Sequence, residues 1–425
     1  MPLKKLRVVV AAAVIVACAA PAAARADAVT DWNAYANAAI FATTPTAHAA
    51  VVKTAMVQAA VYDAVNAIAG GYQPYLPTAA ADPTFSQNAA AARAAFVVAS
   101  ALAPTQVTNP PGLLQARYDA TVAAIPDGPA KTGGIAVGQA AAEALLAARA
   151  NDGRDGPFTF VFGTAPGEWR KSPPAFAVDP TPWVANVKPF LVPNAEMLRT
   201  DGPNPLTSDA YVHDFNEVKE MGSLTSTKRT AEQTAIAIFW QGSSWNDVLR
   251  ELAETQGLGT SDRARLFASV YMAAADGFIG CYNDKYHWTF WRPITAIREA
   301  DTDGNPATEA DPNWTPLFDP TTPVTTPPPL ITPPFPDHPS AHSCASSAIV
   351  HTLQDFFGTD KIEFTIPSTK SLTPRTFERF SDALKEVIDA RVWGGIHFRT
   401  ADVQGAVLGK KVAHWLEKHY FQQTP

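Results

Sequence analysis

Pro339-Ser340-Ala341-His342-Ser343-Cys344-Ala345-Ser346-Ser347-Ala348 is the stretch on which the reading of the fold turns. Upstream of it, residues 301–337 are crowded with proline, which lacks a backbone N–H and is excluded from helix interiors. Downstream, small residues follow one another without the alternation that a strand requires. The stretch therefore predicts a long ordered loop that gives way to a helix at Ser340-Ala341. A helix surfaced with small side chains lets its neighbours approach closely, which suits a bundle.

The same Ala-rich habit fills residues 31–70, 86–103 and 133–152, and the last of these ends at Asn151-Asp152-Gly153, a stop signal. Further on, Thr230 and Gln233 suit a capping box. Leu266, Phe267, Val270, Tyr271, Ala274 and Phe278 form a helical stripe from a start near Ser261-Asp262. Thr373-Pro374 predicts a helix opening with proline at its first position. Its apolar face would run from Phe377 to Ile388, with Gly394-Gly395 as the break. A last helix is expected from near Thr400. Alternating strand patterns are nearly absent, so the class is all-α. The expected architecture is two four-helix-bundle-like halves with long Pro-rich loops. Residues 27–155 form the first half and residues 226–425 the second. Between them, residues 156–225 read as an ordered connector rich in proline and aromatic residues.

The chain has 425 residues, 47% of them hydrophobic and 17% charged, which is ample for a large buried core. Residues 1–26 read as a secretory leader. Lys4, Lys5 and Arg7 precede an apolar run from Val8 to Ala20, and Ala24-Arg25-Ala26 fits a small-x-small cleavage site. A lipoprotein-type box at Ile15-Val16-Ala17-Cys18 is the alternative. Either way the expected destination is secreted or periplasmic. No later segment is apolar for long enough to predict a membrane anchor. Without residues 1–26 the formal charge moves from -7 to -11, because four cationic side chains and no acidic ones leave. An acidic chain of this kind does not point to nucleic acid. Two cysteines remain, Cys281 and Cys344, open to a disulfide or to two buried thiols.

Three segments carry chemistry. In Lys285-Tyr286-His287-Trp288-Thr289-Phe290-Trp291-Arg292-Pro293, the two cations fall two helical turns apart among bulky aromatics. Buried cations require an anionic partner. In the second segment, Ser340 and the backbone N–H groups at the start of a helix make a ready anion site, and His342 adds a proton donor or acceptor in the first turn. The third runs Arg391-Val392-Trp393-Gly394-Gly395-Ile396-His397-Phe398-Arg399-Thr400-Ala401-Asp402, where the two glycines turn the chain and deliver His397 from a new direction. Among other polar residues, Asp276 on the helical stripe and Asp63 in the first helix suggest buried ion pairs. Asp301-Thr302-Asp303-Gly304-Asn305 lacks the glycine and glutamate of a calcium loop and reads as an ordinary loop.

Together, Lys-x6-Arg-Pro, then Pro-Ser-small-His, then Arg-x5-His with an aspartate shortly after, resemble the shared signature of vanadium-dependent haloperoxidases and type 2 phosphatidic acid phosphatases. The motifs span residues 285–402. Phe290-Trp291-Arg292-Pro293 and Pro334-Phe335-Pro336 look like the haloperoxidase side. The resemblance implies a vanadate cofactor with His397 as the vanadium ligand. It implies that Lys285, Arg292 and Arg391 neutralise the oxyanion while Ser340 and the Ala341 N–H hydrogen-bond it. His342 would be the acid–base, Lys285 would assist catalysis, and Phe335 and His338 would shape a halide pocket. Hydrogen peroxide and halide would be the substrates. The alternatives are a secreted acid phosphatase acting on a phosphoester through a phospho-histidine at His397, and a non-catalytic anion-binding relative. Three positions depart from the family pattern. Ala341 stands where glycine is usual, and Ala390 where serine is usual. Asp402 follows His397 by five residues instead of four. Asp402 or Asp276 are candidates for the carboxylate that orients His397, as is another carboxylate or a backbone carbonyl.

Overall fold

Thirteen α-helices, four short 3-10 helices and one short β-hairpin make up the regular structure of residues 27–324, 326 and 328–424, the residues that the computed structural model describes. The expected leader, residues 1–26, lies outside them. The first five helices are α1 (Ala28–Thr43), α2 (Ala47–Ala69), α3 (Gln87–Leu102), α4 (Leu114–Ala123) and α5 (Pro129–Ala148). The helix expected over 31–70 is thus two. Thr44 precedes Pro45, whose ring disfavours a helical conformation in the residue before it, and Thr44 is accordingly extended at φ -113°, ψ 122°. On α3 the alanines at 89–92, 94, 95 and 99 are buried, and this face packs against α1, α2 and α5.

The remaining helices are α6 (Asp209–Met221), α7 (Ala231–Gln241), α8 (Trp245–Thr255), α9 (Thr260–Trp288), α10 (Pro293–Arg298), α11 (Ala341–Phe357), α12 (Phe380–Trp393) and α13 (Arg399–His419). At 29 residues α9 is the longest. It packs against α2 from the first group and against α11 and α13 from the second, so one helix belongs to the core of both. Gly409 on α13 lets α11 approach closely: a Cβ there would meet the Cys344 carbonyl oxygen at 2.2 Å.

Three local readings differ from the sequence expectation. Helix α6 lies inside the segment expected as connector. Ser208 caps it by accepting from the Tyr211 N–H, and Tyr211, Phe215 and Val218 form its buried stripe at helical spacing. Where a helix was expected at Thr373-Pro374, residues Arg375–Phe377 instead form a strand antiparallel to Phe364–Ile366. The Phe364 and Phe377 rings stack across that pair at 5.7 Å, so cross-strand aromatic contact outweighs the Thr-Pro start signal. Finally, α9 stops at Trp288. Thr289 takes a left-handed conformation, φ 51°, and Pro293 opens α10, so Lys285 and Arg292 do not lie on one continuous helix.

Asp276 explains how the connector is held. It is fully buried on α9 and accepts the backbone N–H groups of Phe190, Leu191 and Val192 at 2.6, 2.8 and 3.0 Å. Asp63 does the same for Tyr75 and Leu76. Both expected ion pairs are therefore carboxylate anchors for loop backbone. Removing the Asp276 acceptors strands three buried donors, each worth roughly 1–3 kcal/mol if left unmade. Asp276→Ala is expected to cost about 3 kcal/mol or more in denaturant unfolding, and Asp276→Asn, which keeps one acceptor oxygen, less than that.

Candidate active site

The helix break at Thr289 decides where the first pair of cations goes. Lys285 remains on the last turn of α9, while Arg292 is the residue before Pro293 and the N-cap of α10. The two do not share a helix face as the spacing suggested. They meet instead across the ring of Phe335, with the Lys285 ammonium 5.1 Å and the Arg292 guanidinium 5.0 Å from its centroid. The Lys285 Nζ donates to the carbonyls of Pro336, at 3.0 Å, of Asp337, at 2.9 Å, and of Pro339. Its three donors hold the loop that ends at Ser340. Arg292 donates through Nε to the Phe335 carbonyl at 2.8 Å and through Nη1 to the Ile396 carbonyl at 2.7 Å.

Ser340 is the N-cap of α11, yet its hydroxyl makes no capping bond. Its own N–H donates to the Ala401 carbonyl at 2.8 Å, which ties the start of α11 to the start of α13. Beside that junction, Asp402 accepts from the Ser343 hydroxyl at 2.8 Å. Burial pushes the Asp402 carboxyl up to about 7, against the pull of Ser340, Ser343 and the nearby arginines. The Gly394-Gly395 bend forms as expected. Gly395 has φ +74°, and a Cβ there would meet the Gly222 carbonyl oxygen at 2.4 Å, so only glycine fits. Arg391 lies in the last turn of α12 before this bend, and His397 follows it.

The carboxylate behind His397 is neither Asp402 nor Asp276. It is Asp337, whose Oδ1 lies 2.8 Å from His397 Nδ1 and 3.8 Å from Arg292 Nη1. The Asp337 N–H donates to the Phe290 carbonyl at 2.8 Å, which fixes the loop under the ring. Arg292 Nη1 stands 3.2 Å from His397 Nε2. An arginine can only donate, so Nε2 carries the lone pair and Nδ1 the proton that faces Asp337. Burial, then the charges of Arg292, Lys285 and Arg391, hold the His397 imidazole well below its usual range, that is, neutral.

Lys285, Arg292, Arg391 and Asp337 are all fully buried. Burial pushes Lys285 down to about 8, Arg292 to about 10 and Arg391 to about 9, and repulsion from Arg292 adds to the shifts of Lys285 and Arg391. These shifts mark positive charge that is short of a counter-ion. The hydrogen bonds show the same deficit. Arg391 uses one donor, Nη2, on the Gln241 side chain at 3.1 Å. Among the described residues, its Nε and Nη1, the Nη2 of Arg292 and the Ser340 hydroxyl are buried with no hydrogen-bond partner. Each would cost roughly 1–3 kcal/mol if nothing ever met it. With the free N–H groups of the first turn of α11, these donors fit a compact oxyanion, vanadate or phosphate.

A cavity of about 440 Å³ opens onto Ala341, His342, Arg391 and His397. His342 is half-buried, with its ring partly open to this space. Burial and the Arg391 charge push its imidazole well below the usual range. Phe335 lines the cavity as expected of a pocket residue, but His338 does not. His338 turns away to the Thr200 hydroxyl, 3.0 Å from its Nε2, and burial holds it down to about 3. Cys281 and Cys344 are buried free thiols, and Cys281 donates to the Pro339 carbonyl at 3.5 Å. Asp337, Gln241, Trp240 and His48 are the site residues that sequence reading missed. Asp337 stood in the same Pro-rich loop as Ser340, which was the available signal. His48 was a lone histidine in an Ala-rich helix.

The family model for the VCPO second helical-bundle domain matches residues 265–424. Vanadium chloroperoxidase of Curvularia inaequalis is 32% identical over 154 residues, covering 32% of this chain and 24% of that protein, so the match spans about a quarter of its length. In fold, the chain is similar to the crystal structure of a bacterial vanadium-dependent iodoperoxidase, with TM-score 0.76 and 21% identity over 93% of this chain and 96% of that one. It is also similar to the apo form of a bacterial vanadium-dependent chloroperoxidase, with TM-score 0.66 and 16% identity over 88% and 92% of the two chains. Residues 265–424 thus match the VCPO second helical-bundle domain, within an all-α fold shared with these solved structures.

Proposed function

We propose that this protein is a vanadium-dependent haloperoxidase, oxidising halide with hydrogen peroxide, and that residues 1–26 export it. The observation that carries the reading is the set of buried, unpartnered donors on Arg292, Arg391 and Ser340 beside a neutral His397. His397 would hold vanadium through Nε2, with Asp337 on Nδ1 fixing the ring and its tautomer. Arg292, Arg391, Ser340 and the Ala341 N–H would hold the oxyanion oxygens. Bound vanadate would supply Lewis-acid activation of peroxide without a change of its own oxidation state.

The protein's own groups do the rest. Lys285 adds positive charge and, through three loop carbonyls, keeps Ser340 and Asp337 in place. His342 is neutral and open to the cavity, so it can take a proton from incoming peroxide and return one to the departing oxygen as water. Phe335 packs its ring against Lys285 and Arg292 and also lines the cavity, so it covers these two cations on that side.

An oxyanion should stabilise the fold. At a hundredfold excess over its Kd, orthovanadate is expected to add about 2.7 kcal/mol, read as a rise in Tm. Arg391→Met should weaken that binding roughly 100-fold, since it removes charged donors at a buried site. In the same titration, an unmoved Tm for the wild type would count against the site itself.

Vanadate reconstitution of the purified protein should switch on peroxide-dependent oxidation of bromide or iodide. His397→Ala should abolish it, His342→Ala should lower kcat by roughly 10²–10⁴, and Asp337→Asn should weaken vanadate affinity by about 10–100-fold. Hydrolysis of a phosphomonoester in place of halide oxidation would reassign the site to phosphatase chemistry.

A further inference from the structure

A second opening lies among the first group of helices, and none of the residues around it lines the cavity at His342. It is a cleft of about 650 Å³ between α1 and α4, flanked by Ser86 and Asn88 at the start of α3 and by Ile125 and Pro126 before α5. That volume falls within the range that holds small organic ligands, about 300–1,000 Å³.

The sequence accounts for the gap. Ala116 and Ala120 of α4, and Ala124 at its C-cap, are spaced by four, so they share one face, and each side chain stops at a methyl group. Aromatic rings meanwhile set the spacing of the helices. The Tyr118 ring of α4 stacks on Phe96 of α3 at 4.6 Å and meets the edge of Trp32 of α1 at 6.3 Å. Alanines cannot reach across a separation fixed by such rings, and the space beside them stays open.

Asp31 lines this cleft from α1 and is half-buried. Among the described residues its carboxylate has no hydrogen-bond donor and no cation against it. Burial, then repulsion from Asp27, holds it above the usual carboxylate range. Asp27 itself is engaged by Arg263 at 3.3 Å and by the Val29 N–H at 2.8 Å. The other charged side chain on the walls is Arg117. It donates through Nε to the Gly112 carbonyl at 2.7 Å and through Nη2 to the Pro111 carbonyl at 3.3 Å, and it lies over the Tyr35 ring at 4.0 Å. The Ser86 hydroxyl caps α3, and the Asn88 side-chain oxygen accepts the Ala28 N–H at 3.3 Å. Asp31 is thus the charged group of the cleft that is left without a partner.

We propose that this cleft binds a primary amine with an apolar aromatic tail, its ammonium on Asp31 and its tail along the alanines of α4. An alkyl ammonium stays charged at neutral pH. It meets a carboxylate that is partly withdrawn from water, where the attraction is stronger than at a fully exposed site. The alanine face supplies apolar area to bury against the tail. Asp31 and Asp27 would repel an anion. The site stands apart from the halide chemistry proposed above and does not depend on it.

The test compares 4-phenylbutylamine with 4-phenylbutan-1-ol, a neutral molecule of similar shape. Calorimetric titration of the whole protein at neutral pH should show saturable binding of the amine at sub-millimolar concentration. The alcohol should bind about fivefold more weakly, the upper end of what a part-exposed ion pair contributes. Asp31→Asn keeps the shape of the side chain and leaves the Asp27 cap of α1 in place, and it should bring the amine down to the affinity of the alcohol. Ala120→Trp fills the cleft from an exposed helix position and should weaken both ligands roughly tenfold or more. Ala116→Trp makes the same test one turn earlier. Absence of saturable amine binding up to millimolar concentration would overturn the proposal. So would an alcohol that binds as tightly as the amine, or amine binding that Asp31→Asn leaves undiminished.

Discussion

Three cations, Lys285, Arg292 and Arg391, sit fully out of water, and that expense organises everything near them. Removing an ion from water costs several kcal/mol even after the protein relaxes. The structure offsets part of this with loop carbonyls from Phe335 to Pro339 and from Ile396, with the Phe335 ring, and with Asp337. The balance is left open as unmet donors. A site that stays in deficit until an anion arrives binds that anion with energy stored during folding, and it selects for charge and compactness before any chemistry begins.

The loops explain why so much proline is present. Carbonyls that point at a cation must hold still, and a proline-rich segment loses less freedom on folding than a flexible one. Residues 334–339 combine both properties, since they offer carbonyls on one face and place Asp337 and Ser340 on the other. Second supports reach the site from helices outside it. Gln241 at the end of α7 steadies Arg391, and Ala401 at the start of α13 receives the Ser340 N–H.

Much of this was legible in the sequence. The Ala-rich segments announced helices, the Gly-Gly bend announced the reversal before His397, and the charged and hydroxyl residues of the three motifs converge. The failures have specific causes. A Lys–Arg spacing of seven implies a shared face only if the helix continues, and Thr289 ends it. The Asp402 position followed from counting along one segment, whereas the carboxylate at His397 comes from a loop sixty residues earlier. His338 was expected in the pocket from the resemblance alone, but Thr200 from the connector draws it the other way. The last two errors concern contacts between segments distant in the chain, which local pattern cannot encode. His48 is the extreme case, since it reaches the cavity from the first group of helices.

The rim of the cavity has a consequence of its own. Pro328, Pro329, Pro333 and Pro334 line it, and the Lys370 ammonium clasps the Pro328 carbonyl at 2.6 Å. A doorway framed by locked backbone torsions does not close over its guest. Whatever enters must match an opening already cut to shape. Discrimination then happens by fit at the threshold, with little ordering cost on entry, and departure is as unobstructed as arrival.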